Sequence, residues 1–333
     1  MPTIAITGSS GNLGNATLSA LLSRNLAPAS CIVALTSSQP GSATWAELRA
    51  QSGEMQIRHA SFEDPASFES ALRGVDKFFL VSTPRVELDF EDDDGSEVPD
   101  GGGREAHHKV AIDAAAASGV RYVYYSSLAY AWDARPGRRS KAAVMRAHLR
   151  TEAYLAAEGR FQGVVRIREG LYAESWPLYL GSFDAAGRDG RTVVPLAADG
   201  RACWTAIPDL GLANALVLAA DGAEYAGRTF YLSVRPEMAR TVSEVAGLVG
   251  EARGREVRVE IVGMEGHERH YVGELGRDKK YVRWWAGSYE ALGEGECLVD
   301  DGTLERLLAG VGVRPTGVEE IIRQMVGEEG MRR

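Results

Sequence analysis

The sequence predicts an α/β protein built on a doubly wound parallel sheet, and three observations predict it. Residues 3–7 (Thr-Ile-Ala-Ile-Thr) read as a short buried strand, and Gly8, Gly11 and Gly14 follow at even spacing. A helical pattern then places Ala16, Leu18, Leu21 and Leu22 on one side. Strand-like and helix-like segments go on alternating through residue 170. Beyond it the pattern loosens, which divides the chain into a core over 1–170 and a smaller covering lobe over 171–333, with about 203–235 returning to the core.

The opening carries the strongest signal. Gly8 permits a tight turn, Gly11 lets backbone approach a pyrophosphate, and Gly14 lets the helix pack closely on the sheet. The helix N-terminus then points free N–H groups at the phosphates. Strand, glycine turn and helix in this order are the start of a dinucleotide-binding Rossmann unit. Ser10, Asn12 and Leu13 join the three glycines as expected cofactor contacts.

The second strand is Cys31 to Leu35. An acid at its end would bind the ribose hydroxyls of NAD, but Thr36, Ser37, Ser38 and Gln39 stand there instead. Hydroxyls receive a 2′-phosphate where a carboxylate would repel it, so NADP is the expected cofactor. Gln56 to His59 read as a third strand and Asp64 to Leu72 as a helix with Pro65 just inside its start. Phe78 to Val81 form a fourth strand ending at Ser82, Thr83 and Pro84, on the edge that faces the cofactor. Glu87 to Gly103, with its run Glu91 to Asp94, reads as a solvated insertion rather than a metal site. A helix opened by His107 and His108 leads to a fifth strand, Tyr122 to Tyr125, ending at Ser126 and Ser127, again cofactor positions. A long helix over Ser140 to Glu158 and a sixth strand, Val164 to Ile167, complete the core.

The chain has 333 residues, 45% hydrophobic and 25% charged, with a net charge of −9. That balance is of an ordinary globular protein and argues against general binding to nucleic acid or anionic membrane. Three widely spaced cysteines fit a reducing compartment, and no apolar run approaches a membrane span, so a cytoplasmic location is expected. No metal-ligand spacing and no Gly-x-Ser-x-Gly elbow occurs.

Several stretches together resemble the NmrA-like family of atypical short-chain dehydrogenases/reductases. They are ITGSSGNLG, ASFEDPASFESALRGVDKFFLVSTP, HHKVAIDAAAASGVRYVYYSSL, HLRTEAYL and VRIREGLYAE. WWAGSYEALGEGECLVDDGTLERLL is similar to the tails of fungal members. The resemblance implies NADP(H) binding and a substrate pocket between the Rossmann core and the C-terminal lobe. The family holds reductases, redox-sensing regulators and biosynthetic enzymes of non-redox chemistry, and fold alone does not choose among them.

Ordinary short-chain dehydrogenases use a tyrosine with a lysine four residues on, and none of the twelve tyrosines here has one. On the long helix, Lys141, Met145, His148 and Glu152 recur at helical spacing on one face. His148 and Glu152 match the family's pattern. His148 is therefore the candidate proton donor, with Glu152 orienting it and Lys141 and Tyr130 beside them; the alternative is a polar face turned to water. Tyr130 and Trp132 past the fifth strand, and Tyr172 and Trp176 past the sixth, are candidates to wall an apolar substrate. Trp204, Trp284 and Trp285 read mainly as packing. The leading reading is an NADP(H)-dependent oxidoreductase of a small, largely apolar organic molecule, in fungal secondary metabolism by resemblance. A redox sensor with a protein partner and a non-redox enzyme stay open beside it.

Overall fold

A computed structural model describes residues 1–90, 98–130, 139–184 and 190–331. Seven parallel strands form the central sheet. Six are β1 (Ile4–Ile6), β2 (Ile32–Thr36), β3 (Gln56–His59), β4 (Lys77–Val81), β5 (Tyr122–Leu128) and β6 (Gly163–Glu169); the seventh is Thr229–Leu232. Their spatial order is Thr229–Leu232, β6, β5, β4, β1, β2, β3. The chain leaves β1 in one direction and resumes with β4 on its other side. The crevice beyond the carboxyl ends of β1 and β4 is therefore the switch point at which such sheets bind ligands.

Helices cover both faces. On one face α1 (Asn12–Ser23) packs against α7 (Ile207–Ala219). The approach is close enough that a Cβ on Gly211 would meet the Ala16 Cβ at 2.5 Å. The other face carries α3 (Pro65–Ala71), α4 (Gly103–Ala117) and α5 (Val144–Ala157) over a core of Phe68, Phe78, Ile112 and Tyr125. α2 (Ala43–Gln51) links β2 to β3, and its Ser42 cap accepts from the Trp45 N–H at 3.4 Å. Beyond β6 a third apolar cluster holds α6 (Trp176–Tyr179), the helix Lys279–Gly293, and the packed pair Val242–Arg253 and Val318–Met331. Among the described residues no helix is long and apolar enough to cross a membrane.

Several expected boundaries shift. α4 begins at Gly103 rather than at His107, and β6 runs past Ile167 to Glu169. β5 runs on to Leu128, so Ser126 and Ser127 lie inside the strand, since β6 hydrogen-bonds alongside it as far as Glu169. α5 begins at Val144, so Ser140 and Lys141 precede it. The Lys141 side chain is exposed, facing Glu294 at 3.7 Å, and does not share the stripe with Met145, His148 and Glu152. The insertion after β4 is not wholly solvated: Asp89 forms a buried pair with Arg104. Trp132 and the run Glu91 to Asp94 lie outside the described residues.

Candidate active site

The glycine turn has the geometry of a phosphate cradle. Gly8 takes φ +61°, a left-handed conformation that suits glycine. The Gly11 N–H donates to Gly8 O at 2.8 Å, and a Cβ on Gly14 would lie 2.2 Å from the same oxygen. α1 follows Gly11 at its N-terminus, with no side-chain cap and no acidic residue in its first turn, which leaves its N–H groups for an anion. Gly8, Ser10, Gly11 and Asn12 are exposed, while Leu13 anchors the turn in the core. The floor is tied across the switch point. Thr7 Oγ1 accepts from the Val81 N–H at 2.7 Å, and the Thr7 N–H donates to Phe79 O at 3.0 Å.

At the end of β2, Thr36 Oγ1 accepts from the Ser38 N–H at 3.2 Å, so Thr36 shapes the turn. Ser38 O receives the Trp45 indole N–H at 2.8 Å and faces His59 Nδ1 at 3.2 Å. Ser37 is exposed. The residues fit a dinucleotide with a phosphorylated ribose: a helix end free of acids, an open glycine turn, and hydroxyls where NAD binders carry a carboxylate.

At the end of β4 the crevice is backed by a buried polar network under α4 and α5. The Thr83 N–H donates to His108 Nε2 at 3.2 Å, which assigns the ring hydrogen to Nδ1, 2.8 Å from Thr151 Oγ1. Thr151 Oγ1 in turn donates to Ala147 O at 2.8 Å. Arg104 approaches His148 Nε2 at 3.3 Å, so His148 carries its hydrogen on Nδ1, 3.0 Å from the Tyr125 hydroxyl. Arg104 also pairs with Asp89, donates to Val144 O at 2.8 Å, and reaches Ser82 Oγ at 3.4 Å. Burial, reinforced by the Arg104 guanidinium, holds both imidazoles far below their usual range, and they are neutral.

The helix stripe is therefore turned inward rather than to water, and His148 is 1% exposed. Glu152 does not hold the His148 ring. It pairs with Arg168 at 2.8 Å and accepts from Ser127 Oγ at 2.6 Å, because β5 and β6 present those groups to its turn of the helix. Arg168 continues to the Tyr231 hydroxyl at 2.6 Å. Ser126 is buried, and Pro84 is exposed at the rim.

Past the ends of β5 and β6 lies an apolar cleft of about 120 Å³, near the roughly 150 Å³ that accommodates a benzene ring in a protein. Leu128, Tyr130, Val144, Tyr172, Tyr179 and Trp285 line it, with Glu169 and Cys297. Tyr130 and Tyr172, two of the sequence's candidates, are thus among its lining residues. The Tyr130 and Tyr179 hydroxyls bond to each other, and burial raises both phenol pKa values. Trp176 is not among the lining residues; it is fully buried against Phe183. Sequence reasoning missed Arg104, Tyr125, Tyr179 and Glu169. Only Glu169 left a trace: an acid on the period-two run Val165, Ile167, Glu169, where an apolar residue belongs.

The NmrA-like family matches residues 1–269. The chain belongs to the NmrA-like family. Across 327 residues, 97% of this chain and 94% of the relative, it is 26% identical to an NmrA-like family domain-containing oxidoreductase of Aspergillus flavus. It is 32% identical over 254 residues, 76% of each chain, to quinone oxidoreductase 2 of Escherichia coli. A structure of the NADPH-dependent quinone oxidoreductase QOR2 of Escherichia coli, complexed with NADPH, superposes with a TM-score of 0.73 at 26% identity, covering 97% of this chain and 99% of that one. Triphenylmethane reductase of a Citrobacter species, complexed with NADP(H), gives a TM-score of 0.72 over 97% of this chain and 99% of that one. Its 22% identity speaks for the fold alone.

Proposed function

We propose that this NmrA-like protein is an NADP(H)-dependent reductase of a small, largely apolar organic molecule bearing a carbonyl, imine or quinone. The observation that carries the reading is the apolar cleft past β5 and β6, on the sheet edge that also bears the glycine turn and the β4 end. The named relatives support it, since two of them are oxidoreductases and one was crystallised with NADPH. A role in secondary-metabolite biosynthesis is part of the proposal and rests on the Aspergillus relative's likeness over almost the whole chain.

Gly8, Ser10, Gly11, Asn12, Leu13 and Gly14 would hold the pyrophosphate at the α1 N-terminus, and Ser37 and Ser38 the 2′-phosphate. Ser82, Thr83 and Pro84, with Ser126 and Ser127 behind them, would border the nicotinamide. When bound, the nicotinamide supplies a hydride. The chain's own contribution is placement: Leu128, Tyr130 and Tyr172 exclude water and hold the electrophilic carbon. In this reading His148 and His108 brace Thr83 and Ser82, and Glu152 braces β5 against β6 through Ser127 and Arg168. Lys141 stays at the surface.

Gly11→Asp is the direct test. A Cβ there lies 3.3 Å from Gly8 O, a tight contact that asks the turn to give by a few tenths of an ångström, while the carboxylate meets the pyrophosphate. NADPH binding, read by fluorescence titration, is expected to vanish with the circular dichroism unchanged. Unaltered affinity would remove the cofactor site. Product formed from a trial substrate without NADPH oxidation would move the protein to non-redox chemistry, and NADPH binding without turnover of any quinone, carbonyl or imine would favour a sensor.

A further inference from the structure

Without a Tyr-x-x-x-Lys pair, a reductase on this scaffold needs another source of the proton that follows the hydride. The cleft contains one. Glu169 ends β6 on the face that packs against α7, directly opposite Leu128 of β5, and both residues line the cleft. The residue is 0% exposed and its Oε2 has almost no accessible surface, so a ligand in the cleft meets that oxygen only once the side chain turns toward it. One carboxyl oxygen accepts from Asn214 Nδ2 at 3.0 Å, and the other, Oε2, has no hydrogen-bond partner among the described residues.

An ionised carboxylate left so poorly paired would carry a heavy desolvation cost. Burial, opposed only by the Asn214 hydrogen bond, pushes this carboxyl well above the usual carboxylate range, which favours its protonated form. A neutral carboxylic acid has one O–H to give, and an apolar cleft offers it no water to bond. The nearby Tyr172 phenol is no competitor as an acid, because burial and then Glu169 itself raise its pKa.

We propose that Glu169 is the acid of the cleft: its Oε2–H donates to the oxygen of a bound carbonyl or quinone and is given up to that oxygen during reduction. The proposal rests on the reductase reading above. The step balances. The substrate's electrophilic carbon accepts the hydride and forms a C–H bond, and the C=O π pair moves to oxygen. That oxygen forms an O–H bond with the Glu169 proton, and the nicotinamide is the two-electron reductant. The Glu169 carboxylate left behind recovers a proton from water as product leaves.

Two measurements on wild type and Glu169→Gln test this, with 1,4-naphthoquinone as the probe. Difference infrared spectroscopy is expected to show a protonated-carboxyl C=O band that is lost in Glu169→Gln and shifts when the quinone binds. Single-turnover hydride transfer from NADPH deuterated at C4 is expected to fall ~10²-fold or more in Glu169→Gln, the size of a positioned general acid, with quinone and NADPH affinities unchanged. Glu169→Asp, an acid one methylene shorter, should recover part of that loss, and stands in should the glutamine variant fail to fold. Wild-type turnover in Glu169→Gln, or a carboxyl band indifferent to the quinone, would leave Glu169 as a partner of Asn214 only and overturn the assignment. Should the wild type oxidise no NADPH with the quinone, the reductase reading fails by itself. The infrared shift then still decides whether Glu169 meets the ligand.

Discussion

Two buried polar regions sit at the same sheet edge, and they differ in how completely they are paired. Under α5, Arg104, His108, His148, Tyr125 and Thr151 form a chain in which the backbone N–H of Thr83 and the Arg104 guanidinium settle each imidazole's tautomer. Beyond β6, Glu169 holds one partner and leaves one oxygen bare. A satisfied network rigidifies what it touches; a half-satisfied group is costly unless something else completes it. The first region therefore reads as support for the crevice wall and the second as a place for a ligand.

The largest expected effect lies in the network. Arg104→Ala removes the guanidinium partner of Asp89, a mostly buried carboxylate that keeps only the residue-104 backbone N–H, and should cost about 3–5 kcal/mol, the range for breaking a buried ion pair. Urea denaturation measures it. A cost of a few tenths of a kcal/mol would mean that Asp89 finds water and that the region is open.

His148→Ala comes next. It leaves one Arg104 N–H without a partner and takes the nearer partner from the Tyr125 hydroxyl, which keeps His108 Nδ1 at 3.3 Å, at about 1–3 kcal/mol for a buried group so orphaned. Hydride transfer by the folded fraction should be unchanged, against the ~10²-fold loss expected for Glu169→Gln. A rate loss of that size with intact stability would reverse the comparison and make the histidine the donor.

The pH dependence sharpens the same contrast. His108 and His148 are held neutral in the fold by burial, so unfolding at low pH takes up protons the native state does not bind. Stability should be fully present above about pH 6.5 and fall below it, by up to about 1.4 kcal/mol per pH unit for each histidine. Thermal melts from neutral pH downward should show this, with a shallower slope in His148→Ala.

The smallest effect belongs to the cleft. Tyr130→Phe removes the hydroxyl pair with Tyr179 and should cost about 0.5–1.5 kcal/mol in stability, while substrate affinity changes little. A large loss of binding would mean that the Tyr130 hydroxyl, rather than the cleft's apolar wall, reads the ligand.

The sequence by itself determined the opening of the fold. A short apolar strand, three glycines and an amphipathic helix follow from local rules: left-handed backbone at Gly8, no room for a Cβ at Gly14, and free N–H groups at a helix end. The third strand, Gln56 to His59, was legible to the residue, and Tyr130 and Tyr172 were legible as cleft walls because residues past parallel strand ends meet the ligand edge. What α5 does with its polar face was decided by tertiary structure alone. Helical spacing aligns His148 with Glu152, yet their partners come from Arg104, 44 residues before His148, and Arg168, 16 residues after Glu152. Pairwise spacing along one helix cannot encode which charge another element brings to it. Glu169 shows the same division. Read from sequence, its strand ends two residues earlier, at Ile167, although Glu169 continues the alternation of Val165 and Ile167; its bare oxygen is a matter of tertiary structure, since α7 delivers one asparagine amide and nothing else pairs with it.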